Sequence, residues 1–181
     1  GSAPLPLSHS QERLCFTDQL QPTPAAYNLP AATRLRGALD VPAFHAALAE
    51  VVRRHEALRT TFAFSNEEAR PVQRIAPSQV PDLPRIDVRA LPSLSREAEI
   101  LRLATTEARR PFDLVRGPLL RAALVAVSRE PAEHLALLTL HHIVADGRSI
   151  GVLIREIAAL YTAFAEGRPS PLAPLPVQYP D

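Results

Sequence analysis

The apolar residues between Leu119 and Phe164 change their spacing part-way, and that change limits what this chain can fold into. Leu119 to Val127 and His134 to Leu140 are short runs rich in leucine and valine, the pattern of buried strands, with Ser128 to Glu133 as the turn between them. Beyond them Ile150, Leu153, Ile154, Ile157, Leu160, Tyr161 and Phe164 recur every three or four residues, which is one face of a helix, and Gly167 then Pro169 stop it. A stripe of that kind must cover an apolar surface, and the two strands offer one.

The rest of the chain interleaves the same two element types. Ser8-His9-Ser10-Gln11 has capping-box spacing and predicts a helix from about His9 to Leu20, ended by Pro22 and Pro24. Leu29 to Leu35 reads as a strand. Asp40 caps a second helix with Pro42 in its first turn and Phe44, Leu48, Val51 and Val52 on one face, ending near His55. Thr60 to Phe64 and Val72 to Ile75 predict a hairpin across the polar turn Ser65-Asn66-Glu67-Glu68. Ile100, Leu101, Ala104 and Ala108 mark a third helix between Ser95 and Arg110, halted by Pro111. The fold class is α/β or α+β, helices packed on a mixed β-sheet.

A chain of 181 residues suffices for one domain or one large lobe. The net charge of +1 provides no field that would gather nucleic acid or anionic lipid. No apolar run approaches the roughly 20 residues that span a bilayer, and no signal segment opens the chain. The single cysteine, Cys15, excludes an intrachain disulfide and leaves no zinc-ligand set, in keeping with a reducing compartment. These features predict a soluble cytoplasmic protein with no nucleic-acid or membrane partner. Gly1-Ser2 and the absence of methionine predict a tag scar on a piece of something longer. The expected organisation is a scar at 1–2, a body at 3–167, and an extended proline-rich bridge at 168–181.

The chemistry concentrates in Leu140-His141-His142-Ile143-Val144-Ala145-Asp146-Gly147-Arg148-Ser149, between a buried strand and the last helix. Neighbours in extended chain point to opposite sides, so one histidine can face a channel while the other packs inside. The same geometry argues against a shared metal, and His55-Glu56 does not extend to H-E-x-x-H because position 59 is arginine. No G-x-S-x-G elbow supplies a serine nucleophile, and Cys15 lies in a helical pattern with nothing to activate it. Asp146 admits two readings: triad partner of a histidine, or buried anchor paired with Arg54 or Arg59. What remains is a lone imidazole acting as base or positioning an amine, with backbone donors near Gly147 for an oxyanion.

These residues carry a resemblance. His141-His142-Ile143-Val144-Ala145-Asp146-Gly147 matches the H-H-x-x-x-D-G motif of the condensation domains of nonribosomal peptide synthetases, which are similar in fold to chloramphenicol acetyltransferase. Other CoA-dependent acyltransferases carry H-x-x-x-D-G, but Arg54-His55-Glu56-Ala57-Leu58-Arg59-Thr60-Thr61-Phe62 resembles the family's second core motif and Leu7-Ser8-His9-Ser10-Gln11-Glu12-Arg13-Leu14 its first. Pro174-Leu175-Pro176-Val177-Gln178-Tyr179 resembles the bridge into a second lobe.

The resemblance implies the amino-terminal lobe of such a domain. His142 would be catalytic, with Gly147 beside it allowing close approach of backbone and substrate; His141 would support the local structure, and Asp146 would pair with an arginine of the second motif, Arg59 first and Arg54 next. The implied reaction is attack by the amine of an acceptor aminoacyl thioester on a donor acyl thioester. No cofactor of its own is implied, since the phosphopantetheine arms belong to donor and acceptor peptidyl carrier domains. Further implied partners are the missing carboxy-terminal lobe and an adjacent adenylation domain. Alternatives are an epimerisation-type relative, a CoA-dependent acyltransferase and a non-catalytic docking lobe; a heterocyclisation domain would replace the paired histidines with aspartate. Two positions depart from the family pattern: Arg148 stands where tryptophan is common, and Cys15 where an aromatic is.

Overall fold

A computed structural model describes residues 5–20, 25–65, 70–77 and 80–178 of the chain. Its elements follow as β1 (Leu5–Pro6), α1 (His9–Leu20), β2 (Asn28–Arg36), α2 (Val41–Arg54), a 3-10 turn (Glu56–Arg59), β3 (Thr60–Ser65), β4 (Arg70–Ile75), β5 (Arg85–Asp87), α3 (Ser93–Arg109), β6 (Leu120–Arg129), β7 (Ala132–His141) and α4 (Gly147–Ala165). The expected turn at Ser65-Asn66-Glu67-Glu68 and the stop at Pro22 and Pro24 fall mostly or wholly outside the described residues, as do Gly1-Ser2 and the last three residues.

The larger sheet runs β2-β7-β6-β5, antiparallel except for the β5/β6 pair. Helices cover both of its faces, which is why β6 and β7 read as near-continuous apolar runs. Leu120, Ala122 and Leu124 of β6 join Ala136, Leu138 and Leu140 of β7 beneath α2 and α4. The alternate residues Ala123, Val125, Val127, Leu135 and Leu137 pack with Ile100 of α3 on the reverse face. The smaller sheet runs β1-β4-β3. α1 packs near it through Cys15, in a cluster with Phe62 of β3 and with Ile143 and Val144 of the segment that follows β7. That cluster fastens the segment bearing the paired histidines.

Local chemistry sets the ends of the helices. Asp40 accepts the Ala43 N–H at 3.0 Å and opens α2. α4 closes on a glycine in the left-handed region: Gly167, at φ +68°, donates to the Phe164 carbonyl, and Arg168 donates to that of Ala163 at 2.8 Å. Three details differ from the sequence expectation. β6 and β7 run on to Arg129 and Ala132, so the loop expected at Ser128 to Glu133 shrinks to Glu130-Pro131, and a bulge between Ala126 and Ser128 absorbs the twist. α3 begins two residues early, at Ser93. Finally, β1 and β5 carry no apolar alternation and become strands only because a neighbour pairs with them.

The condensation-type histidine site

Period-two alternation along β7 assigns the two histidines their surroundings. His141 shares the parity of Leu135 and Leu137 and turns to the face that α3 covers; it is 5 % exposed. His142, one residue on, is exposed. Burial first, then the charge of His142, push the His141 ring down to about 4, so it is neutral. Its Nδ1 accepts the Ile143 N–H at 3.1 Å, which places the ring proton on Nε2. The His141 carbonyl accepts the Val144 N–H at 3.1 Å, and the His142 N–H donates to the Tyr27 carbonyl at 2.8 Å. The backbone on both sides of His142 is thereby tied down while its imidazole stays free to meet a ligand.

His142 lies on the wall of an open cleft of about 590 Å³, together with His9, Ser10, Arg13, Tyr27 and Ser149. α1 supplies its share of these through its own start. Gln11 Oε1 accepts the Ser8 N–H at 2.9 Å, the Ser8 hydroxyl oxygen accepts the Gln11 N–H at 3.3 Å, and Gln11 is buried. The first motif thus presents α1 to the cleft. Cys15, one turn further on, takes no part: burial, then Asp18 and Glu12, push its thiol up to about 12.

The structure corrects the expected role of Asp146. The residue is exposed and no ion pair joins it to Arg59 or Arg54. Asp146 instead caps α4: its carboxylate accepts the Ser149 N–H at 2.8 Å and the Ser149 hydroxyl at 2.7 Å, and its own N–H donates to the Ser149 oxygen at 3.2 Å. These bonds, with the Arg148 N–H and charge behind them, hold its carboxyl below the usual carboxylate range. The physical reason is proximity, because a partner three residues away at a helix start forms at no loop-closure cost. The triad reading finds no support either, since the Asp146 carboxylate accepts from Ser149 and, among the described residues, no hydrogen bond joins it to His141 or His142.

Both arginines of the second motif work elsewhere. Arg59 pairs with Glu56 at 2.8 Å and donates to the Ala76 carbonyl, stitching the 3-10 turn to the end of β4. Arg54, 8 % exposed, lies 3.5 Å from Glu156 of α4 and donates to the Ala173 carbonyl at 2.8 Å; His55 reaches the same Glu156 oxygen at 2.7 Å. Gln178 completes this clasp, donating to the Arg54 carbonyl at 2.9 Å and accepting the Glu56 N–H at 3.1 Å. Gly147 is the first residue of α4, and a Cβ there would meet nothing within 4 Å, so among the described residues no neighbour requires a glycine.

Four residues around the site were not singled out by sequence. Tyr27 holds His142 through its carbonyl and sets its ring 6.1 Å from that of His141. Phe112 stands edge-on to His141 at 5.9 Å, and Arg121 lies 3.7 Å over the Phe112 ring. Asn28, opposite His141 in the β2/β7 register, donates to the Ala108 and Arg110 carbonyls at the end of α3. The only sequence signal for them is position, since Tyr27 immediately precedes β2, Asn28 opens it and Phe112 follows the proline beyond the end of α3.

Comparison with known proteins agrees with this geometry. The family profile described as Condensation domain matches residues 2–181. The chain is 51 % identical over 177 residues to chondramide synthase cmdD of Chondromyces crocatus and 48 % identical over 177 residues to a linear gramicidin synthase of Brevibacillus parabrevis. Each match covers 98 % of this chain but only 4 % and 2 % of those proteins. The crystal structure of the starter condensation domain of rhizomide synthetase RzmA superposes with a TM-score of 0.85 at 27 % identity, over 95 % of this chain and 40 % of that one. Helices on a mixed sheet in this order are the chloramphenicol-acetyltransferase-like arrangement, of which the chain spans less than half the solved domain. With the paired histidines at the end of β7, the profile spanning nearly every residue and relatives near 50 % identity, the chain belongs to the condensation domain family.

Proposed function

We propose that this chain is the histidine-bearing lobe of a domain that forms an amide bond between two carrier-bound thioesters in nonribosomal peptide synthesis. The observation that carries the reading is the contrast between the two histidines: His141 is buried and neutral, whereas His142 is exposed on the cleft with its backbone fixed. In this reading the acceptor's amine attacks the carbonyl carbon of the donor thioester, the tetrahedral intermediate collapses, and the pantetheine thiolate leaves. An α-amine with a pKa of roughly 8 is already partly neutral at pH 7, so His142 serves to orient it or to take its proton as the bond forms. An oxyanion donor from this lobe would come from the start of α4, at Gly147.

The partners that follow are donor and acceptor carrier domains bearing phosphopantetheine, a second lobe reached through residues 168–181, and a neighbouring adenylation domain. Among the described residues no helix is long and apolar enough to cross a membrane. Cys15 is buried as a free thiol, which supports the cytoplasm as its place. An acyl-CoA donor is a second reading, favoured by a variant of the rhizomide starter domain solved in complex with C8-CoA.

The test uses a complete domain with donor-loaded and acceptor-loaded carriers, read by intact mass. His142→Ala is expected to lower dipeptidyl thioester formation by about 10²–10⁴-fold with an unchanged melting temperature, whereas His141→Ala lowers the melting temperature. Full activity in His142→Ala would remove the reading. Turnover of acyl-CoA in place of the donor carrier would favour the second one.

A further inference from the structure

The end of α3 and the start of the following loop present an arrangement that the proposed chemistry leaves unused. Arg121 of β6 spends its guanidinium on one place: Nε pairs with the Glu107 carboxylate, Nη2 donates to the Arg110 carbonyl at 2.8 Å and the Glu107 carbonyl at 3.2 Å, and Nη1 donates to that of Pro111 at 3.1 Å. A helix C-terminus gathers carbonyls that lack partners and carries partial negative charge, so a cation there satisfies both. The fork also fixes the course of the chain as it leaves α3, and the next residue, Phe112, lies under the guanidinium carbon at 3.7 Å. Held from behind, the Phe112 ring meets His141 edge-on at 5.9 Å, and the Tyr27 ring packs tilted against the same imidazole at 6.1 Å.

We infer that Arg121, through the Phe112 ring, seats the His141 imidazole and so positions His142. The inference rests on the functional reading above. The last link is the bond from the Ile143 N–H to His141 Nδ1, which spans His142 and sets the peptide planes on either side of it. If the His141 ring turns, that bond breaks and the backbone at His142 keeps only its bonds through the Tyr27 and His141 carbonyls. Arg121 and Phe112 are positioning residues, since neither lines the cleft. The titratable groups around this corner are His142 at the strand end, the Tyr27 phenol beside His141, the Arg121 and Glu107 pair behind Phe112, Arg110 at the end of α3 and Asp113 beside Phe112.

The deciding measurement is made on the 181-residue chain labelled with ¹⁵N, by imidazole proton–nitrogen correlation spectra at pH 6–7. Wild type is expected to show His141 as one tautomer, protonated on Nε2. Phe112→Leu removes the ring while leaving the hydrogen bonds of Arg121 in place, and is expected to give a tautomer mixture with a protonated fraction at His141. Arg121→Lys keeps the charge but not the fork and is expected to move the spectra the same way. In the complete domain, Phe112→Leu is expected to lower kcat roughly tenfold to a hundredfold with KM for the loaded carriers unchanged, as suits a lost orientation rather than lost binding. An unchanged His141 spectrum in Phe112→Leu overturns the inference, and so does an altered spectrum with unchanged kcat. A wild-type domain that forms no peptide bond counts against the functional reading, while the spectra still decide whether Phe112 seats His141.

Discussion

A protonated His141 could not accept the Ile143 N–H, and its place beneath α3 offers little water to a cation. The unfolded chain takes up that proton near pH 6.5, whereas the folded ring resists until about 4. Between those values the unfolded state binds more protons, so stability is full above about 6.5 and is lost as the pH falls toward 4. The loss is on the order of 3 kcal/mol, read from denaturant titrations at pH 7, 5.5 and 4. His141→Asn, which keeps an acceptor but does not titrate, is expected to flatten that part of the pH dependence. The corrected role of Asp146 has its own consequence at this scale. Asp146→Ala and Arg59→Ala each remove a separate set of bonds, so a double-mutant cycle of melting temperatures is expected to be additive. A strong coupling between them would restore the buried pair that the sequence suggested.

At the scale of elements, the legible parts were those whose signal is local. The apolar stripe announces α4, Asp40 and its stripe announce α2, and the Ser8 and Gln11 box announces α1, because periodicity and caps are written in nearby residues. β5 was not legible, since Arg85-Ile86-Asp87 becomes a strand only by lying parallel to Leu124–Ala126. The site divided in the same way. Opposite orientations for His141 and His142 followed from strand geometry, but Phe112 and Arg121 reach His141 only through the packing of α3 on the sheet. Asp146 and Ser149 stand at capping-box spacing in the sequence itself, whereas the pairing with Arg59 is implied only by the motif resemblance. The second motif's Arg54 joins elements that sequence keeps apart: α2, α4 and the stretch after α4. Arg54→Ala leaves Glu156 without its buried cation and is expected to cost about 3–5 kcal/mol. It is also expected to speed amide exchange across residues 168–178, measured by mass spectrometry; unchanged exchange there would mean that the clasp does not hold this stretch.

As a whole molecule, the chain has a core complete in itself and a cleft that is not. Leu160 is fully buried, and α2 and α4 close over β6 and β7 without help. This supports cooperative unfolding of the 181-residue chain. The His142 cleft is bounded by α1, by Tyr27 in the turn before β2, by the segment after β7 and by the start of α4. On the proposed function, orientation of two reactants can supply roughly 7–11 kcal/mol of the barrier, which a single wall holding two pantetheine arms would forfeit. The isolated chain is therefore expected to fold yet give no dipeptidyl thioester with loaded carriers, and to regain activity when a second lobe is added in trans. Turnover by the chain alone at the rate of a complete domain would show that one wall suffices.

Among the described residues β2 pairs with β7 alone, so its other side offers open backbone to any strand that drifts past. Pro30 removes one donor from that row, and the exposed arginine Arg36 near its end adds charge and bulk. In a polypeptide as long as the synthases to which this span corresponds by only 2–4 %, tethering keeps other domains at high local concentration, emerging from the ribosome one after another. A rim that is hard to extend would then act as insulation, letting each newly made sheet finish on its own strands before its neighbours can be spliced into it.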